Sequence, residues 1–195
     1  MLRQQRMIPA AILAAPLIAL AIASCSKPAT QENATTAAPE DSIARGRYLV
    51  TLAGCNDCHT PGYFYGAPDT TRMLSGSEVG WLTPLGTAYA RNITPDSTTG
   101  IGTWTSEQIV TAIRTGQRPD ASHILLPPMP WPDFSHLTDK DAYAIAAYLK
   151  SIPAVSHRVP DIVPPGKKAS TPVIPIPPPG KWDAPAGPPP GGAKA

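Results

Sequence analysis

The chain has 195 residues, 15% of them charged, 42% hydrophobic, 26 prolines and three cysteines, and carries a formal net charge of +2. Arg3 and Arg6 lie in the first 24 residues, so the remainder holds 14 basic against 14 acidic residues and is formally neutral. That balance leaves no basic surplus to attract nucleic acid or anionic lipid. Three cysteines are too few for a disulfide framework.

In chain order, the N-terminus reads as an export signal. Arg3 and Arg6 precede a proline-broken apolar run from Met7 to Ala23, too short and interrupted for a membrane-spanning helix of ~20 apolar residues. Residues 1–24 are therefore expected to be removed. The run ends Ile22-Ala23-Ser24-Cys25, which resembles the lipobox of bacterial lipoproteins. That resemblance implies acylation of Cys25 and a membrane anchor; an ordinary signal peptide with Cys25 as a spare thiol is the competing reading. Residues 25–40 lack large apolar side chains and read as a flexible tether.

The compact part spans residues 41–155. A first helix is expected from Ser42 to Ala53, stopped by Gly54. It leads directly into Cys55-Asn56-Asp57-Cys58-His59. Two thiols three positions apart followed by histidine form the C-x-x-C-H signature of covalent haem attachment, with Cys55 and Cys58 as thioethers and His59 as an iron ligand. A zinc site would want a second ligand pair, and a redox dithiol a strand–helix context. Neither context is evident in the flanking residues.

A short hairpin is expected within Val79 to Ala90. A second helix starts at the capping box Thr105-Ser106-Glu107-Gln108 and stops at Gly116. A third is capped by Thr138, carries Ala142, Ile145, Ala146 and Leu149 on one face, and closes before Pro153. Half of the 26 prolines fall after residue 152. Residues 156–195 thus read as an extended tail, loosely attached or draped over the domain through Val173, Ile174, Ile176 and Trp182.

A helix entering C-x-x-C-H and a final amphipathic helix bearing an aromatic residue resemble the class I cytochrome c fold. The resemblance implies an all-α domain of three main helices around one covalently bound haem c, with long loops. It also implies that the first and last helices cross with a glycine facing an aromatic; Gly46 and Tyr148 are the counterparts. Ala90-Arg91-Asn92-Ile93-Thr94-Pro95-Asp96 and Gly100-Ile101-Gly102-Thr103-Trp104-Thr105 resemble the cytochromes associated with bacterial alcohol and gluconate dehydrogenases. That likeness puts Asn92 and Trp104 near the haem and implies dehydrogenase or respiratory partners.

The sixth iron ligand separates functions. Met129, in the stiff stretch Leu126-Pro127-Pro128-Met129-Pro130-Trp131-Pro132, is the favoured ligand, with His123, Met73 or an open face as alternatives. Methionine ligation implies an electron carrier rather than an enzyme, and the N-terminal signal with its lipobox-like end implies that it is exported and anchored by lipid. An open or displaceable face implies a peroxidase-type enzyme or haem-based sensor. His136 and His157 read as surface histidines.

Overall fold

A computed structural model describes residues 39–120 and 125–177. Cys25, His123 and Trp182, with the signal, most of the tether and the end of the tail, lie outside the described residues.

The first helix, α1, runs Pro39–Leu52, with Glu40 and Asp41 in its first turn. The last long helix, α5, runs Asp139–Ser151; the Thr138 hydroxyl accepts from the Asp141 amide at its start. These two helices cross at close range because position 46 has no side chain. A Cβ on Gly46 would collide with the Ala144 carbonyl oxygen and stand 2.7 Å from the Tyr148 Cβ. The expected glycine–aromatic crossing is therefore present. Val50, Ala142, Ala146 and Leu149 are buried around it, each large side chain contributing about 1.5–3 kcal/mol. Arg45 Nε donates to Asp141 Oδ1 at 2.9 Å across the same contact.

Helix α3, Ser106–Thr115, packs against α5. Its reciprocal cap is formed: Gln108 N donates to Thr105 Oγ1 at 3.2 Å, and Thr105 N donates to Gln108 Oε1 at 2.9 Å. Gly116 ends it with φ 73°, a left-handed conformation that suits glycine. Ile109 and Val110 belong to the core shared with α1 and α5, and Ala112 is buried as well.

Two short helices escape the sequence reading, α2 at Cys55–His59 and α4 at Trp131–Phe134. Five residues or fewer cannot display a helical period, so only the tertiary frame makes them helical.

The all-α expectation needs correction. Helices predominate, but β1, Gly80–Thr83, and β2, Gly86–Tyr89, pair antiparallel as the expected hairpin, and β3, Val173–Pro175, joins β1 in parallel. The sheet order is β2-β1-β3. Strand β3 is proline-flanked and three residues long, which hides it from pattern reading.

Between α5 and β3 the chain runs as a strap over the domain. Val163 exchanges backbone hydrogen bonds with Thr87 at 2.8 and 3.0 Å. Val159 is buried. His157, expected at the surface, is enclosed: its ring nitrogens lie 2.9 Å from the Ser75 carbonyl and 2.8 Å from Glu78 Oε1. The reason is tertiary, since the strap carries it against the 69–78 loop.

Candidate functional site

Helix α2 follows α1 after only Ala53 and Gly54, and Gly54 makes the bend with φ 65°. Cys55 and Cys58 stand three positions apart and so share a helix face. Burial is the first cause that pushes the Cys55 thiol up to about 11. Burial also raises Cys58, assisted by Asp57. Both remain protonated at neutral pH, unlike the low-pKa thiolates of dithiol oxidoreductases. Among the described residues no group of three or more His, Cys, Asp or Glu is placed to hold a metal ion.

His59 is oriented from behind. Its Nδ1 lies 2.7 Å from the Arg91 carbonyl oxygen. A carbonyl only accepts, so Nδ1 carries the proton and Nε2 presents its lone pair. Burial lowers the imidazole pKa, with the Arg91 carbonyl opposing, and keeps the ring neutral. The backbone around it is fastened too: Gly76 N donates to His59 O at 2.7 Å, and buried Thr60 accepts from Leu74 N at 2.8 Å.

Cys55, Cys58 and His59 line a cavity of about 800 Å3, within the ~300–1,000 Å3 common for ligand pockets. Leu49, Ile101, Ile109 and Ile145 contribute apolar wall. Met129 lines the same cavity, whereas Met73 and His136 do not. The Met129 segment is held by Leu125 N to Gly116 O at 2.8 Å, Met129 N to Leu126 O at 3.3 Å and Trp131 Nε1 to Leu125 O at 3.1 Å.

Asn92 and Trp104 also line the cavity. Asn92 is buried with its amide fully used: Nδ2 donates to Thr99 Oγ1 and the Val155 carbonyl, while Oδ1 accepts from Thr94 N and Oγ1. It is therefore a fastener between the 92–99 loop and the strap. Trp104 packs against the core, and the Arg118 guanidinium lies 5.8 Å from its ring centroid. Sequence reasoning missed Arg91, Arg118 and Arg158 as cavity residues. Arg91 stood inside the motif but carried no signal of its own, and Arg158 arrives only through the strap.

The donor set fits haem: two neutral thiols on one helix face, one imidazole lone pair, and a largely apolar space beside them. Fold and site thus define a class, the small helical domains that hold haem through a C-x-x-C-H turn. A sequence model of the cytochrome c family matches residues 43–153, and the chain belongs to that family. Its members carry covalently bound haem c, which supplies one-electron chemistry at iron.

Similar proteins include a cytochrome c subunit of quinone alcohol dehydrogenase from Gluconobacter oxydans (strain 621H), 38% identical over 129 residues, 64% of this chain and 25% of that one. A fructose dehydrogenase cytochrome subunit from Gluconobacter japonicus is 38% identical over 118 residues, 60% of this chain and 23% of the relative. A gluconate 2-dehydrogenase cytochrome c subunit from Pantoea cypripedii is 36% identical over 106 residues, covering 54% and 22%. The chain thus spans about a quarter of the length of these relatives.

Proposed function

We propose that this chain is an exported monohaem cytochrome c that passes single electrons between a dehydrogenase or respiratory donor and an acceptor, and is not itself an enzyme. Cys55 and Cys58 would carry the thioether links, His59 and Met129 would hold the iron, and Asn92 and Trp104 would lie near the haem. Residues 1–24 are removed, and Cys25 is acylated to anchor residues 25–40 as a tether for the domain at 41–155. Among the described residues no helix is long and apolar enough to cross a membrane.

The observation that carries this reading is the set His59. Its Nδ1 is committed to the Arg91 carbonyl, leaving Nε2 for iron in the cavity that both thiols and Met129 share. With an imidazole and a thioether to hold its iron, the haem would supply one-electron transfer and not open-face chemistry. The relatives are named as dehydrogenase cytochrome subunits, which supports a dehydrogenase as donor.

Mass spectrometry of the mature protein tests this reading, with one porphyrin added in the wild type and no stable double linkage in Cys55→Ala or Cys58→Ala. The reduced wild type should resist carbon monoxide. Immediate carbon monoxide binding would favour an enzyme or sensor instead. Cys25→Ala should release the protein from membranes; a variant that still pellets with them rules out the lipid anchor.

A further inference from the structure

The loop at 62–67 holds two aromatic side chains out into solvent. Gly62 and Gly66, both left-handed, flank a single 3-10 turn, Tyr63–Tyr65. Backbone bonds close it: Gly66 N donates to Tyr63 O at 2.9 Å and Ala67 N to Gly62 O at 3.1 Å. A third, from Asp69 N to Pro61 O at 2.9 Å, ties its base. In this fastened loop Phe64 and Tyr65 are 56% and 67% exposed. A contiguous aromatic patch on a surface marks contact with another molecule.

The same rings connect to the wall of the cavity. Phe64 meets Trp81 edge-on with centroids 5.6 Å apart, and Tyr65 meets Phe64 edge-on at 5.8 Å. Trp81, in β1, lines the cavity that Cys58 and His59 share. It also lines a small second cleft together with Cys58, Phe64 and Tyr65. Cys58 and Trp81 are common to both spaces, so the exposed patch and the attachment turn adjoin.

Charge adds a preference. Asp57 is exposed and lines the cleft too. Arg72 engages Asp69 and Glu78 at 2.8 and 3.0 Å. No salt bridge among the described residues includes Asp57. The cleft therefore offers an apolar face with one unmatched negative charge beside it.

We propose that Phe64, Tyr65, Trp81 and Asp57 form the docking face for a redox partner protein whose surface is apolar with a lysine or arginine at its edge. This assignment rests on the reading that the domain carries a haem and passes single electrons. Aromatic side chains are enriched at the centres of interfaces, and an acidic residue at the rim speeds encounter with a cationic surface. Transient redox encounters use small interfaces, and this face is small.

Tris(phenanthroline)cobalt(III), a cation with flat apolar ligands, stands in for such a partner. Stopped-flow mixing with the reduced holoprotein moves one electron from Fe(II) to Co(III), leaving Fe(III) and Co(II). Phe64→Ser and Tyr65→Ser should each slow this reaction about fivefold. Asp57→Asn should slow it about two- to threefold at low salt and not at high salt. Oxidation by ferricyanide, an anion without apolar surface, should slow in none of them. The redox-inert chromium(III) counterpart should broaden the NMR signal of the Trp81 indole, and the double variant Phe64→Ser with Tyr65→Ser should lose that broadening. Equal slowing with both oxidants, or cobalt rates like those of the wild type, overturns the docking face. So does a wild-type dimer that the double variant splits, which gives the face to a second copy of the chain. A faster cobalt reaction in Trp182→Ala gives it to the chain's own tail and overturns it as well. If Asp57→Asn takes up no haem, the aromatic variants decide alone. A wild type without covalent haem overturns the functional reading instead, and the chromium broadening then decides the face by itself.

Discussion

The two walls of the cavity are held in different ways. On the His59 side, α1 runs almost directly into α2, the imidazole is fixed by the Arg91 carbonyl, and the adjacent backbone bonds to Gly76 and, through Thr60, to Leu74. On the Met129 side, the flanking prolines offer no amide donors, and the stretch from Leu125 to Trp131 is tied by Leu125 N to Gly116 O at 2.8 Å, Met129 N to Leu126 O at 3.3 Å and Trp131 Nε1 to Leu125 O at 3.1 Å. The contrast suits the two iron ligands proposed above. A strong imidazole ligand gains from a fixed direction, while a weak thioether depends on a stiff chain for its position.

The contrast is broken most severely at Gly46. Gly46→Val drives a branched side chain into the Ala144 carbonyl and the Tyr148 Cβ, separating α1 from α5 and displacing both thiols. Chemical denaturation should show a loss of about 3 kcal/mol or more. Wild-type stability in that variant would mean that the helix crossing does not set the His59 wall.

Asn92→Ala comes next. It strips four hydrogen bonds from a buried junction between the 92–99 loop and the strap. The expected cost is about 2–3 kcal/mol, because the buried Thr94 amide loses its acceptor and the Val155 carbonyl keeps only the Thr94 hydroxyl at 3.3 Å. Hydrogen exchange should localise the opening to the strap and the 92–99 loop, leaving the α1–α5 core protected.

Met129→Ala acts on the weaker wall and sharpens the contrast. Only about 1–2 kcal/mol of stability should go, since the side chain is half-buried. The reduced holoprotein should then bind carbon monoxide and titrate at a lower potential. A variant with wild-type ligand binding and potential would move the sixth ligand elsewhere, with His123 the first residue to substitute.

The smallest effect belongs to the loop under the strap. Hydrogen bonds from Thr71 first, then from Arg72, hold the Asp69 carboxyl at about 2, below its ordinary 3.8. A depressed folded-state pKa adds stability above the ordinary value, and that contribution disappears as pH falls from about 4 toward about 2. Asp69→Asn should flatten the acid limb of the stability profile in that window and leave neutral pH little changed. An unaltered acid limb would show that the carboxyl is not stabilised in the folded loop.

The chemistry-bearing residues were legible because their signals are local. C-x-x-C-H needs only five consecutive residues, and the capping box at Thr105 and the apolar face of α5 need only one helix each. The hairpin at 80–89 was legible for the same reason. Gly46 could be paired with Tyr148 only through the family resemblance, since no local pattern links positions so far apart.

Composition, the attachment motif and helical periodicity determined the site's thiols, its histidine and the long helices, since each depends on neighbours within a few residues. Only the tertiary structure decided that β3 joins β1, that His157 is enclosed, and that Arg91, Arg118 and Arg158 line one cavity. Those features come from backbone groups and charges distant in the chain, and a proline-rich segment has no period to announce where it will pack. Folding alone brings them together.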